Sequence, residues 1–553
     1  MSLILKRIPT AVRIRSQRWR HNRRILKLIR RVAASHRSKP GCSEGAVVIF
    51  NASTRLTGMS LNAAFALLTR LALELEGVPV VQFACHSGMS RCVLGTDRDD
   101  PAKVPPCQAC IAQSRVLHSG AATTRFTYHE DPDLATSLQN LSLAQLSEFE
   151  YPWQKGSSAI PLGSLVLPSL RWVLRRHHLP DEEATRYLQR QYILSAYHIA
   201  KEFLILLEQA DPRAVVVFNG QFFPEATARW VAQQRGIPVI THEVGLRPFT
   251  AFFTPGEATA YPLEIPADFE LDEKQNARLD EYLNQRFQGQ FSMAGIRFWH
   301  EMQSLDEGFL RLAAGFKQIV PVFTNVIFDT SQPHSNVVFP HMFTWLEMVL
   351  DLARQHPETL FVLRAHPDES RPGKASRESV QQWVEQNKAN SLPNLLFIGS
   401  RQPLSSYALI QRSKFVMIYN STIGLEASIM GAAVLCAGRA RFTQLPTVFF
   451  PPTQHDYRRQ AEDFLTTSTI DIPPEFRRNA RRFLYYQLFR SSLPFDEFLE
   501  DDGIWHGFVR LRPLPGGKLF PPDKLSAQQS PALDAIIEGL LHGGNFLLAD
   551  DQP

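Results

Sequence analysis

FVLRAHPDES at residues 361–370 and FVMIYNSTIGLEASIMGAAVLCAG at residues 415–438 decide the fold. The apolar run Phe361-Val362-Leu363 ends in Arg364-Ala365-His366-Pro367. The run Phe415 to Tyr419 ends in Asn420-Ser421-Thr422-Ile423-Gly424 and passes into small residues suited to a helix. Each reads as a buried strand with polar residues at its carboxyl end. In an open α/β sheet, ligands bind in the crevice at those ends, so Arg364, His366 and the Asn420–Gly424 loop are expected to line one pocket.

The chemistry of that pocket suits an anion. A helix expected to start near Ser421 offers free N–H groups and the positive end of its dipole. The Ser421 and Thr422 hydroxyls and the Arg364 charge add to it. Gly424 is expected to let a ligand approach the backbone. Glu426, one turn in, is placed to accept hydrogen bonds from sugar hydroxyls. For single residues a plainer reading stands beside this one: Ser421 as a helix cap, Pro367 as a loop stop.

R-x-H-P followed by N-S-T-x-G-L-E-A-x-x-x-G resembles the capsule polysaccharide biosynthesis family, which includes bacterial transferases of 3-deoxy-manno-octulosonic acid (Kdo). The resemblance is best over about 320–438 and looser over about 46–261. It implies the GT-B arrangement, two Rossmann-like domains facing across a cleft. It also implies a nucleotide-sugar donor, with a CMP-sugar favoured. By that likeness His366 and the Ser421/Thr422 turn hold donor phosphate, and Glu426 reaches the ribose.

A chain of 553 residues is too long for one ordinary domain. The expected division is a basic arm (1–44), an acceptor domain (45–260) with a cysteine-rich insertion (85–110), linker helices (261–315), a nucleotide-sugar domain (316–445) and a C-terminal extension (446–553). A hydrophobic content of 44% with 20% charged residues describes a globular protein. No apolar run is long enough to span a bilayer, and the basic N-terminus lacks the apolar core and cleavage site of a signal peptide. A cytoplasmic protein is expected, with the inner face of the plasma membrane as a peripheral site.

The formal net charge of +5 conceals an asymmetry. Of 59 Lys and Arg, 13 fall in residues 1–39, which contain no Asp or Glu; the remainder carries 46 basic against 54 acidic residues. Arg18 to Val32 has the pattern of a basic helix with an apolar side. Four readings follow: a membrane-surface arm, a solvated tail, a helix packed on the acidic body, or a nucleic-acid arm.

Strand signals at Ala46–Asn51 and Val80–Ala84 flank a helix at Ser60–Glu76, with Thr57-Gly58-Met59 as its cap. The loop lacks G-x-G-x-x-G, so no dinucleotide site is read there. Cys85, Cys92, Cys107 and Cys110 follow, with the closing pair at zinc-knuckle spacing. A structural zinc staple, four unligated thiols and a redox pair are the readings; no catalytic metal is expected.

Leu134–Phe149 and Thr185–Leu207 read as helices. A strand at Ala214–Phe218 runs into Asn219, and a strand at Val239–Thr241 runs into His242-Glu243. An acceptor hydroxyl needs a base; Glu243 and His242 are the candidates, with Glu225 third, against a loop histidine and an ion-pair partner. Helices are expected at Asp272–Phe287, Phe298–Ala314, Thr344–Gln355 and Phe476–Phe489.

The resulting expectation is a glycosyltransferase moving Kdo or a related acidic sugar to a growing surface glycan, with a lipid-linked acceptor among the options. Its rivals are a GT-B nucleotide-sugar epimerase and a silent polysaccharide assembly or export protein. A nucleic-acid protein is the weakest reading, because the cations cluster in one arm without a stacking-aromatic motif.

Overall fold

The computed structural model describes residues 10–36, 45–52, 58–154, 158–288, 303–505 and 507–549. The chain forms two compact units. The first comprises residues 1–173, 180–259 and 489–553; the second comprises 174–179 and 260–488.

In the first unit, five parallel strands run Ala122–Phe126, Val80–Cys85, Val47–Asn51, Ala214–Phe218 and Val239–Val244 in spatial order. By chain position this is 3-2-1-4-5. Thr250–Thr254 and Leu493–Pro494 extend the sheet antiparallel. Val47, Val48, Val215 and Val217 are fully buried, as strands covered on both faces require.

The second unit repeats the plan. Its strands run Leu395–Ile398, Thr359–Arg364, Gln318–Phe323, Val416–Ile418 and Val434–Cys436, all parallel, again 3-2-1-4-5. The order reverses between Gln318–Phe323 and Val416–Ile418, so the ligand crevice of this sheet lies beyond their carboxyl ends. Both units are thus Rossmann-like and the chain is α/β.

Several elements differ from expectation for identifiable reasons. Val239–Val244 is longer than its apolar core because Thr241 to Val244 pair with Thr250–Thr254; His242 and Glu243 therefore lie within a strand. Leu134–Phe149 is two helices, Pro132–Leu138 and Leu143–Ser147, because Ser142 starts a new one with a capping box. The helix after the first strand, Leu61–Leu75, is capped by Ser60, whose side chain accepts from the Ala63 N–H; of the expected cap, Thr57 lies outside the described residues.

The basic segment is a helix, Thr10–His36. Ile25, Leu28, Ile29 and Val32 are buried in one core with Phe65, Leu68 and Leu71. Its apolar side is therefore occupied by the body and is not available to a membrane; residues 1–9 and 37–44 lie outside the described residues.

The segment expected as a linker begins the second unit. In it the helix Glu273–Phe287 buries Leu279, Leu283 and Arg286. Phe298 lies outside the described residues, and the helix near it spans Glu307–Ala313. The C-terminal segment completes both units. Pro474–Tyr485 is a helix of the second. Leu493–Pro494 and the buried helix Pro531–His542 belong to the first.

Candidate functional site

In the second unit the two strands at the crevice hand over to asparagines. Asn325 Nδ2 donates to Asn420 Oδ1 at 2.7 Å, and Asn420 Nδ2 donates to Ser335 Oγ at 2.6 Å. Asn325 Oδ1 accepts from the Val326 N–H at 2.8 Å. Thr324 donates from Oγ1 to the Arg364 carbonyl at 3.0 Å. These bonds tie the loop after Gln318–Phe323 to the loop after Val416–Ile418 and to the end of Thr359–Arg364.

Arg364 is the last residue of its strand and is buried. One guanidinium nitrogen, Nη2, donates to the Gln402 carbonyl at a long 3.4 Å. Among the described residues Nη1 is buried with no hydrogen-bond partner, and no carboxylate pairs with this side chain. Burial pushes the guanidinium down to about 10, which still leaves it charged at neutral pH. A buried cation without a counter-ion is costly, and an anion at the crevice is the group that would relieve it.

His366 is half-buried two residues further on. Its Nδ1 accepts from the Asp368 N–H at 3.2 Å. Burial lowers its pKa, against the opposing charges of Asp368 and Asp329. The ring is thus neutral at pH 7 with its proton on Nε2, a donor.

Ser421 is buried, and among the described residues its hydroxyl makes no hydrogen bond. Thr422 occupies the cap position in a helical conformation, φ −62 and ψ −18, with no side-chain cap bond. Neither hydroxyl is spent on capping. The helix starts later than expected, at Ile423, and runs only to Ile429.

Two expected site residues serve the unit's interior. A Cβ on Gly424 would lie 2.2 Å from Ile418 Cδ1 and 3.3 Å from Phe442 Cζ, so glycine here permits helix-to-strand packing and does not open a path for a ligand. Glu426 is buried, with Oε1 accepting from Arg286 Nε at 2.7 Å and Oε2 accepting from the Tyr407 hydroxyl at 2.5 Å. Both oxygens are engaged within the unit. This ion pair fastens the helix Glu273–Phe287 to the sheet region. Sequence reading missed it because Arg286 lies 140 positions away.

In the first unit Glu243 and His242 point to opposite faces, as neighbours in a strand must. Glu243 Oε2 accepts from Asn219 Nδ2 at 2.7 Å, and Oε1 accepts from the Val244 N–H at 2.9 Å. Asn219 sits at φ 60 and Gly220 at φ 81, a left-handed turn that aims the amide at the carboxylate. His242 is instead buried with its ring stacked on Phe253 at 5.0 Å and near Phe218. Burial drives its pKa to about 3, and among the described residues Nδ1 has no hydrogen-bond partner. It is a core histidine and is withdrawn as a base. Glu225 is buried in the first turn of the helix Phe223–Gln234. Beside these groups Gln221 Nε2 donates to Glu257 Oε2 at 3.0 Å, and Arg229 pairs with Glu257; no sequence motif announced either contact.

Among the described residues Cys85, Cys92, Cys107 and Cys110 form no disulfide. The Gly88 N–H donates to Cys85 Sγ and the Gly95 N–H to Cys92 Sγ, each at 3.2 Å. Burial pushes the Cys85 and Cys92 thiols up to about 12, with the neighbouring cysteines adding to it. Among the described residues no group of three or more His, Cys, Asp or Glu is arranged to hold a metal ion. Among the described residues no helix is long and apolar enough to cross a membrane.

Residues 301–445 match the profile of the family described as capsule polysaccharide biosynthesis protein. That segment is similar to the capsule polysaccharide biosynthesis family. It contains Arg364, His366, Asn420, Ser421 and Thr422, the residues that carried the resemblance. Among solved structures, the chain is similar to Thermosulfurimonas dismutans KpsC, beta Kdo 2,4 transferase. The identity is 12% over 50% of this chain and 80% of that one, with a TM-score of 0.34. The beta Kdo 2,7 transferase of the same KpsC gives 13% identity over 59% and 86%, with a TM-score of 0.31. A UDP-GlcNAc 2-epimerase from Neisseria meningitidis gives 14% over 80% and 99%, with a TM-score of 0.25. No curated protein matches. None of these likenesses assigns a residue role.

Proposed function

We propose that this protein is a glycosyltransferase of capsule synthesis. It moves Kdo or a related acidic sugar from a nucleotide donor, with CMP favoured, to a growing capsular or surface polysaccharide on the cytoplasmic side. The observation that carries the reading is Arg364, a buried guanidinium without a carboxylate partner among the described residues, at the carboxyl end of the strand next to the crevice of a Rossmann-like sheet.

In this reading Arg364, the His366 Nε2–H and the Ser421 and Thr422 hydroxyls bind the donor phosphate. They stabilise the charge that grows on it as the bond to the sugar breaks. Because these donors are fixed by the fold before the donor arrives, little reorganisation is needed at the moment of transfer. The Asn325–Asn420 bond sets the spacing between the two loops. In the first unit the candidate base for an acceptor hydroxyl is Glu243, whose orientation by Asn219 supports that role.

The test is thermal unfolding against CMP, UDP, GDP and dTDP, with wild type and His366→Ala. A ligand at 100 times its dissociation constant adds about 2.7 kcal/mol. The expected result is a shift with CMP that the variant loses. A shift with another nucleotide instead would reassign the donor. No shift with any of the four would overturn the proposal.

A further inference from the structure

The helix Thr10–His36 has two faces of opposite character. The inner one buries Ile25, Leu28, Ile29 and Val32 in the core of the first unit. The outer one exposes Arg13, Arg15, Arg20, Arg23, Lys27, Arg30 and Arg31. At 100° per residue these seven cations fall on one side of the helix. Val12 and Trp19 lie among them, 54% and 58% exposed. The helix contains no acidic residue. None of the seven cations is ion-paired among the described residues; the contacts they make are Arg20 to the Ser16 hydroxyl and Arg23 over the Trp19 ring at 4.7 Å.

We infer that this outward face docks the protein on an anionic lipid bilayer. Buried salt bridges are what hold an arginine-rich helix in a protein interior, and among the described residues this face has none. A protein with a mildly acidic body outside its basic segment gains nothing in solubility from seven unpaired cations on one stripe. A planar negative surface meets all seven together, at about a fivefold gain in affinity for each cation near it. Trp19 supplies what a free polyanion does not need, an amphipathic ring of the kind that settles at the lipid headgroup level. The helix is already fixed to the body through its apolar side, so no ordering of a free arm opposes binding. The docking is electrostatic with one aromatic anchor, not an insertion of the apolar stripe. It orients the first unit against the membrane without any spanning segment.

The inference is independent of the donor site and is tested apart from it. Full-length protein is floated with vesicles of phosphatidylcholine alone and of phosphatidylcholine mixed with phosphatidylglycerol. The variants are Arg15→Gln/Lys27→Gln/Arg30→Gln and Trp19→Ala, all at exposed positions, so nucleotide binding should match wild type in both. Binding is expected on the mixed vesicles only, and raised salt should release it. The triple variant should bind about a hundredfold more weakly. Trp19→Ala should bind more weakly than wild type and lose the blue shift of tryptophan emission that the vesicles induce. Equal binding to both kinds of vesicle, no binding to either, or unchanged binding by the triple variant would overturn the inference. So would displacement from mixed vesicles by a lower concentration of duplex DNA phosphate than of lipid phosphate.

Discussion

Replacing Arg364 with methionine separates a binding arginine from a structural one. Methionine keeps an unbranched apolar stem in the same space and deletes the charge. Burial holds the guanidinium near 10 where an exposed one sits at 12.5, which corresponds to a cost of about 3 kcal/mol for keeping it charged. The 3.4 Å bond to the Gln402 carbonyl returns at most about 1 kcal/mol. The unliganded variant should therefore be as stable as wild type, or more stable by about 1–2 kcal/mol. With nucleotide the sign reverses. A hydrogen bond to a charged group contributes about 1.5–3 kcal/mol, so the variant should bind about 10- to 100-fold more weakly. The assay is thermal unfolding without ligand, paired with calorimetric titration of the same preparations. A variant that unfolds well below wild type yet binds nucleotide with wild-type affinity would refute the reasoning, because the guanidinium would then be a structural strut.

Glu426→Gln should destabilise the second unit by about 3–5 kcal/mol, since it strands the buried Arg286 without its counter-charge. Thermal unfolding reads this, and Arg286→Met added to Glu426→Met should recover most of the loss. Glu369 is buried and its carboxyl is pushed up to about 8 by that burial, against the hydrogen bond from the Val380 N–H. The folded protein then holds a proton that the unfolded chain releases above about 4.5, so this group's contribution to stability falls as pH rises from about 4.5 to 8. Glu369→Gln should gain on wild type in unfolding midpoint across that interval, and parallel profiles for the two would contradict it. Gly424→Ala drives a methyl against Ile418 and should cost about 1–3 kcal/mol. Adding Ile418→Val, which removes the opposing Cδ1 carbon, should restore part of that loss.

Period and punctuation made the sheets legible. The runs at 361–363 and 416–418 lie in buried strands because they carry no polar residue on either face, which only a doubly covered sheet tolerates. Their polar ends lie on the same side of the sheet because its strands are all parallel, with Gln318–Phe323 between the two. Side-chain partners were not legible in the same way. Glu426 looked free in the sequence, but its cation arrives from the helix Glu273–Phe287. His242 looked like a loop base, and an antiparallel strand at Thr250–Thr254 drew it into an aromatic core. Gly424 looked like a ligand contact, whereas Ile418 fills the space it leaves. Arg364 was legible as a charge at a strand end. Its lack of a carboxylate partner among the described residues, which gives it its meaning, is a property of the fold alone.

The most direct test of the central claim is nucleotide release from CMP-Kdo with and without a capsular glycan acceptor, comparing wild type with Glu243→Gln. The expected result is release of CMP that depends on acceptor, is matched by sugar incorporated into the glycan, and is reduced at least tenfold in the variant. Release that ignores the acceptor, or binding without any release, would contradict it.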